Sequence, residues 1–438
     1  MTLPLPIGID DFREIRENDY YYIDKTLMIQ DFLTYKNKVA LITRPRRFGK
    51  SLNLSMLREF FDRNRDSKKI FSELKIMKTE HVKQMNTRPV IFLSFKNCNG
   101  STAAKMKNSL ARSMVEEYRY YYKLLSDKAD KANDDYIAFY KTYDNLKKTL
   151  DPLPDGEEEK SKVDDDLLKA SLTTLTQAVC NFYEQPPLLL IDEYDQPLIK
   201  AHEKGFREEF SGDIYAGFLG SALKGNPYVG QSLLTGIQRV VKESIFSELN
   251  NFRLYTVSSR KYAAYFGLTA PETKQILRDY GQDLSTDIQN YYDGYLFGGI
   301  NIYNPWSILS YIDEGVLKPY WVNTSTNRLI KDAITKAGKD FTDSFEVLIK
   351  NGEVKVAVNL EASFIELATP KTLWGLLVNS GYLTITKEFP SGSKTLTIPN
   401  TEVKEELREI VAIYTRISDN TLNELFDNLI PLSLCDCV

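Results

Sequence analysis

The segment Ala40-Leu41-Ile42-Thr43-Arg44-Pro45-Arg46-Arg47-Phe48-Gly49-Lys50-Ser51-Leu52 constrains this chain more than any other. It passes from an apolar run through a basic turn into Gly-Lys-Ser, and then into a helical pattern. A strand, a tight turn and a helix N-terminus in that order make an anion cradle, because the unpaired N–H groups of the first helical turn point into it. In such a loop Lys50 reaches the β- and γ-phosphates of a nucleotide, and the Ser51 hydroxyl meets Mg²⁺. Phe48, Gly49 and Leu52 belong to the same cradle. The general pattern places a Gly seven residues before the Ser, where this chain has Arg44. Arg46 and Arg47 lie inside the loop, where they either contact phosphate or face solvent. With Arg44 they would add positive charge where phosphates lie.

The chain has 438 residues, enough for roughly two to four domains. A charged fraction of 26% beside 42% hydrophobic residues is an ordinary globular balance, and a net charge of −4 does not predict a nucleic-acid or membrane surface. Cys98, Cys180, Cys435 and Cys437 are too scattered for a disulfide framework, which places the chain in a reducing, intracellular and cytoplasmic setting. His81 and His202 stand apart, against a zinc site and against histidine-based nucleophilic catalysis. No apolar run reaches membrane-spanning length, and Met1 to Phe12 lacks the pattern of a signal peptide.

Along the chain, an aromatic-polar segment around Tyr20–Thr26 precedes an amphipathic helix ending near Tyr35. Strands are expected at Val39–Thr43, Val90–Phe95, Ser232–Gly236 and about Arg253–Val257. The helix after the loop, Lys50 to about Phe61, sets Leu52, Met56 and Phe60 on one face. Residues 101–185 read as a helix, a solvated loop or disordered insert around Asp151–Glu159, and a second helix to Glu184, with the charge forming a wet surface. Pro186-Pro187-Leu188-Leu189-Leu190-Ile191-Asp192-Glu193 is a continuous apolar run ending in acids. Such runs are parallel strands covered on both faces, and sites on open α/β sheets lie at their C-terminal ends. Strands alternating with helices predict a doubly wound parallel sheet over residues 1–260, with the helical insert at 101–185. Residues 261–365 read as mainly helical. Residues 366–438 read as a winged-helix-like unit with C-terminal linker helices: a helix to Ser380 capped by Gly381, a hairpin around Pro390–Ser393, and a further helix.

Asp192-Glu193 supplies what a phosphate loop needs opposite it. One carboxylate organises Mg²⁺ through its water shell, and one orients or deprotonates the attacking water. The acids follow Ser51 by about 140 residues, and the strand count fits a P-loop NTPase of the additional-strand type, in which Ser232–Gly236 carries a sensor. Thr235 or Gln238 is positioned to contact the γ-phosphate or the water. Arg239 either stabilises charge on the transferred phosphoryl group or is a surface residue beyond the strand.

Seven ordered motifs together resemble the AAA-ATPase-like family. They are Tyr21-Tyr22-Ile23-Asp24-Lys25-Thr26, Arg44–Ser51, Leu190–Asp195, Thr235–Arg239, Ser244–Ser247 with Leu249-Asn250-Asn251, Tyr292–Tyr295 and Tyr303–Trp306. The Arg-Pro-Arg-Arg-Phe-Gly-Lys-Ser form of the loop belongs to that family. The resemblance runs from about Gly8 to about Leu407. It implies ATP and Mg²⁺ as cofactors, with ATP at Lys50 and Ser51, metal organisation by Ser51 and Asp192, water activation by Glu193, and a place for Asp24 and Lys25 near the nucleotide. Members often carry a C-terminal PD-(D/E)XK nuclease domain. After Thr401-Glu402-Val403 this sequence shows no Asp-…-Glu-x-Lys pattern, so it looks like the ATPase portion or a shortened member.

Three functions follow as expectations: an ATP-hydrolysing enzyme; a nucleotide-dependent switch with little intrinsic hydrolysis that acts on a partner protein or a second copy; and a winged-helix nucleic-acid adaptor for a nuclease. The third is the weakest, because the lysines and arginine of 371–410 are matched by glutamates and form no basic face.

Overall fold

The computed structural model describes residues 2–127, 130, 132–151, 160–240, 252–321, 328–363, 365 and 368–415, with backbone alone for 409 and 411–415. Five strands form the sheet that carries the site: β1 (Val39–Thr43), β2 (Val90–Ser94), β3 (Leu188–Asp192), β4 (Ser232–Gly236) and β5 (Phe252–Tyr255). Their order is β2-β3-β4-β1-β5, and every pairing is parallel. The three inner strands β1, β3 and β4 are buried along their whole length, which is why they read as unbroken apolar runs. Phe95 has left β2, yet its N–H still donates to the Asp192 carbonyl at 3.0 Å. The last strand begins and ends earlier than its sequence suggests.

This order sets β4 between the loop strand β1 and the acid strand β3. The register pairs Thr43 with Gly236 and Ile191 with Leu234, so Thr235 and Asp192 arrive at the same edge of the sheet as the loop. The Lys50–Phe61 helix then packs back on the sheet through buried Leu54, Met56, Leu57, Phe60 and Phe61. Leu52, expected on that face, is only partly buried.

The insert holds three helices, Ala103–Leu125, Asp134–Lys147 and Asp165–Tyr183, which pack on one another. The first helical stretch of the sequence is therefore two helices, with Asn133 capping the second through its side chain. Tyr118 stacks on Phe139 at 5.0 Å, and the buried Tyr121 hydroxyl donates to the Val90 carbonyl at 2.7 Å, which docks the insert on β2. The Glu157–Glu159 run lies outside the described residues.

Residues 261–365 are not simply helical. β6 (Leu268–Thr269), β7 (Tyr295–Phe297) and β8 (Ile300–Tyr303) form an antiparallel sheet in the order β6-β8-β7. Strands this short leave no alternation long enough to read. Further on, β9 (Glu353–Ala357), β10 (Thr384–Glu388) and β11 (Ser393–Thr397) make a second antiparallel sheet in the order β10-β11-β9. The expected succession of helix (Pro370–Ser380), hairpin and helix (Thr401–Thr415) is present, with β9 as an added strand. Among the described residues no helix is long and apolar enough to cross a membrane.

Candidate functional site

The chain leaves β1 at Thr43 and turns through residues 44–49 into the next helix. The turn places Arg47 (φ +67°) and Gly49 (φ +80°) in the left-handed region, and Gly49, at the helix N-cap, does so without a side-chain penalty. Lys50 is buried. Its Nζ donates to the carbonyl oxygens of Pro45 at 2.8 Å and Arg44 at 3.2 Å. Burial lowers its pKa, while Glu193, Asp192 and Asp195 hold the charge in place. An ammonium resting on loop carbonyls can exchange them for phosphate oxygens.

Three elements meet at Asp192. Ser51 Oγ donates to Asp192 Oδ2 at 2.6 Å, and Thr235 Oγ1 donates to Asp192 Oδ1 at 2.7 Å. The carboxylate is 2% exposed. Hard oxygens of this kind are the partial set that Mg²⁺ accepts when phosphates and waters complete its shell. Among the described residues no group of three or more His, Cys, Asp or Glu is placed to hold a metal ion.

Glu193 follows with φ +50°, a left-handed conformation that costs a non-glycine residue free energy and persists only when its neighbours impose it. They do. Tyr194 N–H donates to the Thr235 carbonyl at 3.0 Å, and the Tyr215 hydroxyl donates to the Tyr194 carbonyl. Burial raises the Glu193 pKa, with Asp192 and Asp195 adding to the effect and Lys50 and Arg46 opposing it. A carboxylate held above its ordinary range is better matched to taking a proton near neutral pH. Arg46 is close enough for its charge to act on both Lys50 and Glu193.

The other loop arginines behave differently. Arg44 does not bring charge to the phosphate side. It is fully buried, its Nη1 donates to the carbonyls of Thr43 (2.7 Å) and Tyr255 (3.1 Å), and its guanidinium lies over the rings of Phe266 and Phe297. At the end of β1 its side chain enters the gap beside β5 and closes the loop's base. Arg47 stacks on Trp306, with its guanidinium 4.0 Å from the ring centroid. Arg239 lies over Phe252, the β5 residue that pairs with Val39 at the start of β1. Gln238 is 1% exposed, and its Nε2 has no hydrogen-bond partner among the described residues.

Beside the loop opens a largely apolar cavity of about 100 Å³. Phe48, Gly49 and Leu52 form one wall, Tyr22 and Lys25 another, and Tyr265 and Leu268 a third. Lys25 lines this cavity. Its Nζ is tied to Glu272 and the Ala264 carbonyl, both at 2.6 Å. Asp24 instead turns to its own helix start, accepting from Thr26 and from Lys75 N–H.

The C-terminal half grips the loop from outside. Trp321 Nε1 donates to the Arg46 carbonyl at 3.1 Å, Phe48 packs edge-on against Tyr295 at 5.0 Å, and Gly381 lies against Pro45 so closely that an added Cβ would sit 3.0 Å from Pro45 Cβ. Trp321 N–H is held in turn by Glu402 at 2.7 Å, a buried carboxylate that also accepts from Ser307. Nothing in the spacing of these residues announces the contacts, because they join segments hundreds of positions apart.

A relative from Azotobacter chroococcum mcd 1, described as "Uncharacterized protein in vnfD 5'region", is 27% identical over 417 residues, covering 93% of this chain and 70% of the relative. A family profile described as "Predicted AAA-ATPase" matches residues 6–246, which contain the loop, the acid pair and the sensor strand. With more than half of its length under that profile, the chain belongs to the AAA-ATPase-like family.

Proposed function

We propose that the chain binds ATP with Mg²⁺ and hydrolyses it to ADP and phosphate. The observation that carries this reading is the meeting of Ser51, Asp192 and Thr235, beside a lysine at the head of a helix. Lys50 exchanges the Pro45 and Arg44 carbonyls for β- and γ-phosphate oxygens, and Arg46 adds a second cation. Backbone N–H groups at the start of the Lys50–Phe61 helix take the remaining phosphate oxygens. The base occupies the apolar cavity between Phe48, Tyr22 and Tyr265. Ser51 and Asp192 would hold Mg²⁺, which when bound would draw charge from the phosphate oxygens. Glu193 accepts a proton from the attacking water, and Thr235 fixes Asp192 while that water is placed.

Calorimetric ATP binding and steady-state turnover in the wild type, Lys50→Ala and Glu193→Gln test this. Lys50→Ala should lose affinity. Glu193→Gln should keep ATP and lose about 10²–10⁴-fold in kcat. Equal turnover in all three proteins would refute hydrolysis at this site.

The grip of Trp321 and Gly381 on the loop favours a second reading, a switch in which nucleotide state sets the position of the C-terminal helix–hairpin–helix unit. If that unit is a winged helix, it would be the output surface. Tight ATP binding without turnover would select the switch over the enzyme.

A further inference from the structure

The acid pair and the sensor strand are joined by a residue with no part in the mechanism above. Asp195 is 2% exposed, and one of its oxygens, Oδ2, accepts from two consecutive backbone N–H groups, Ile237 at 2.8 Å and Gln238 at 3.1 Å. The fit is close: a Cβ on Gly236 would fall 2.6 Å from Asp195 Oδ1 and 2.9 Å from the Tyr194 ring, so only glycine lets the two segments meet. Tyr194 adds a second tie. Its hydroxyl donates to the Gln238 carbonyl at 2.9 Å and accepts from Val240 N–H at 3.0 Å. Between the ties lie Thr235, which holds Asp192, and Glu193, whose left-handed backbone needs support.

We infer that Asp195 is a positioning residue that fixes the segment after β4 to the turn after β3, so that Glu193 and the Thr235–Gln238 segment are placed as one rigid unit. This rests on the ATPase reading for its consequence, though not for its geometry. Both amide protons point at the same oxygen. The unpaired Gln238 amide gains its direction from this clamp, because its own N–H and carbonyl are both held by the Tyr194–Asp195 pair.

The test compares Asp195→Asn and Asp195→Ala by deuterium uptake of residues 235–240, ATP affinity and kcat. Asparagine can turn its carbonyl oxygen to both amides and keep the clamp without the charge. Asp195→Asn should therefore retain slow uptake and a kcat within about fivefold of wild type. Asp195→Ala should exchange faster at 235–240 and lose kcat by up to about 10²-fold, the scale of a misplaced catalytic group, with ATP affinity within about threefold. Gly236→Ala, which pushes the carboxylate away from the other side, should reproduce the alanine pattern and serves if Asp195→Ala does not fold. An asparagine variant as inactive as the alanine one would overturn the proposal, because charge rather than placement would then matter. So would unchanged uptake and kcat in Asp195→Ala. A wild type that binds no ATP would defeat the ATPase reading, while the uptake comparison would still decide whether Asp195 holds the segment.

Discussion

The indole Nε1 of Trp321 donates a hydrogen bond of 3.1 Å to the carbonyl oxygen of Arg46, so a residue of the C-terminal half fixes the backbone of the phosphate loop. Phenylalanine at position 321 would keep an aromatic ring beside Tyr382 and remove the donor together with the smaller ring of the indole. A net hydrogen bond contributes about 0.5–1.5 kcal/mol. Trp321→Phe should therefore weaken MgATP binding by up to about tenfold, measured by calorimetry, with little change in kcat at saturation. Unaltered affinity would show that the loop holds its shape unaided.

Glu402 gives the fold a pH dependence. Burial pushes its carboxyl up to about 7 from an ordinary 4.5, against hydrogen bonds from Trp321 N–H and Ser307. With its folded pKa above its unfolded one, the folded state binds the extra proton between those values. Stability from this group is thus greatest below the unfolded pKa and falls as pH rises toward 7. Glu402→Gln keeps an acceptor for Trp321 and abolishes that loss. Thermal melts should show the variant close to wild type at pH 5 and more stable at pH 8, by on the order of 1–3 kcal/mol.

Arg44 offers a test of what the loop's first arginine does. Its Nε and Nη2 have no hydrogen-bond partner among the described residues, and burial pushes it down to about 9, still cationic at neutral pH. Replacing a poorly compensated buried charge by an apolar side chain of similar length is often neutral or stabilising. Arg44→Met should leave ATP affinity within about threefold and the melting temperature within a few degrees of wild type. Arg46→Ala should cost far more affinity. The reverse ranking would return Arg44 to the phosphates.

Glu193 predicts the acid limb of the rate profile. Because burial holds its carboxyl above 4.5, kcat should fall as pH drops through that raised value, where the base is protonated, rather than through the ordinary carboxylate range. Stopped assays from pH 4.5 to 8 check this, and Glu193→Gln should flatten the limb along with the rate.

The sheet was legible because its inner strands are buried on both faces: Val39–Thr43, Leu188–Asp192 and Ser232–Gly236 announce themselves as apolar runs with chemistry at one end. Gly49-Lys50-Ser51 and Asp192-Glu193 were legible for a related reason: the first follows its run after a short basic turn, and the second stands at the end of its run. The direction of a side chain was not. Arg44 and Arg46 are equivalent in sequence, yet the Arg44 side chain turns under the loop while the Arg46 charge acts on Glu193. Short strands such as Leu268–Thr269 gave no period to read, and Asp195 looked like one more acid until the fold set two amides against it. Arg239, read from sequence as either a phosphoryl contact or a surface residue beyond the strand, lies over Phe252.

The chain has three tryptophans, and two of them touch the loop: Trp306 lies under the Arg47 guanidinium and Trp321 holds the Arg46 carbonyl. The third, Trp374, is packed against Phe341 at 4.5 Å, away from it. Quenching by a stacked cation and the polarity around an indole N–H both govern emission. The molecule thus carries its own optical reporter of loop geometry, with a silent internal standard, and nucleotide arrival can be followed in unlabelled protein.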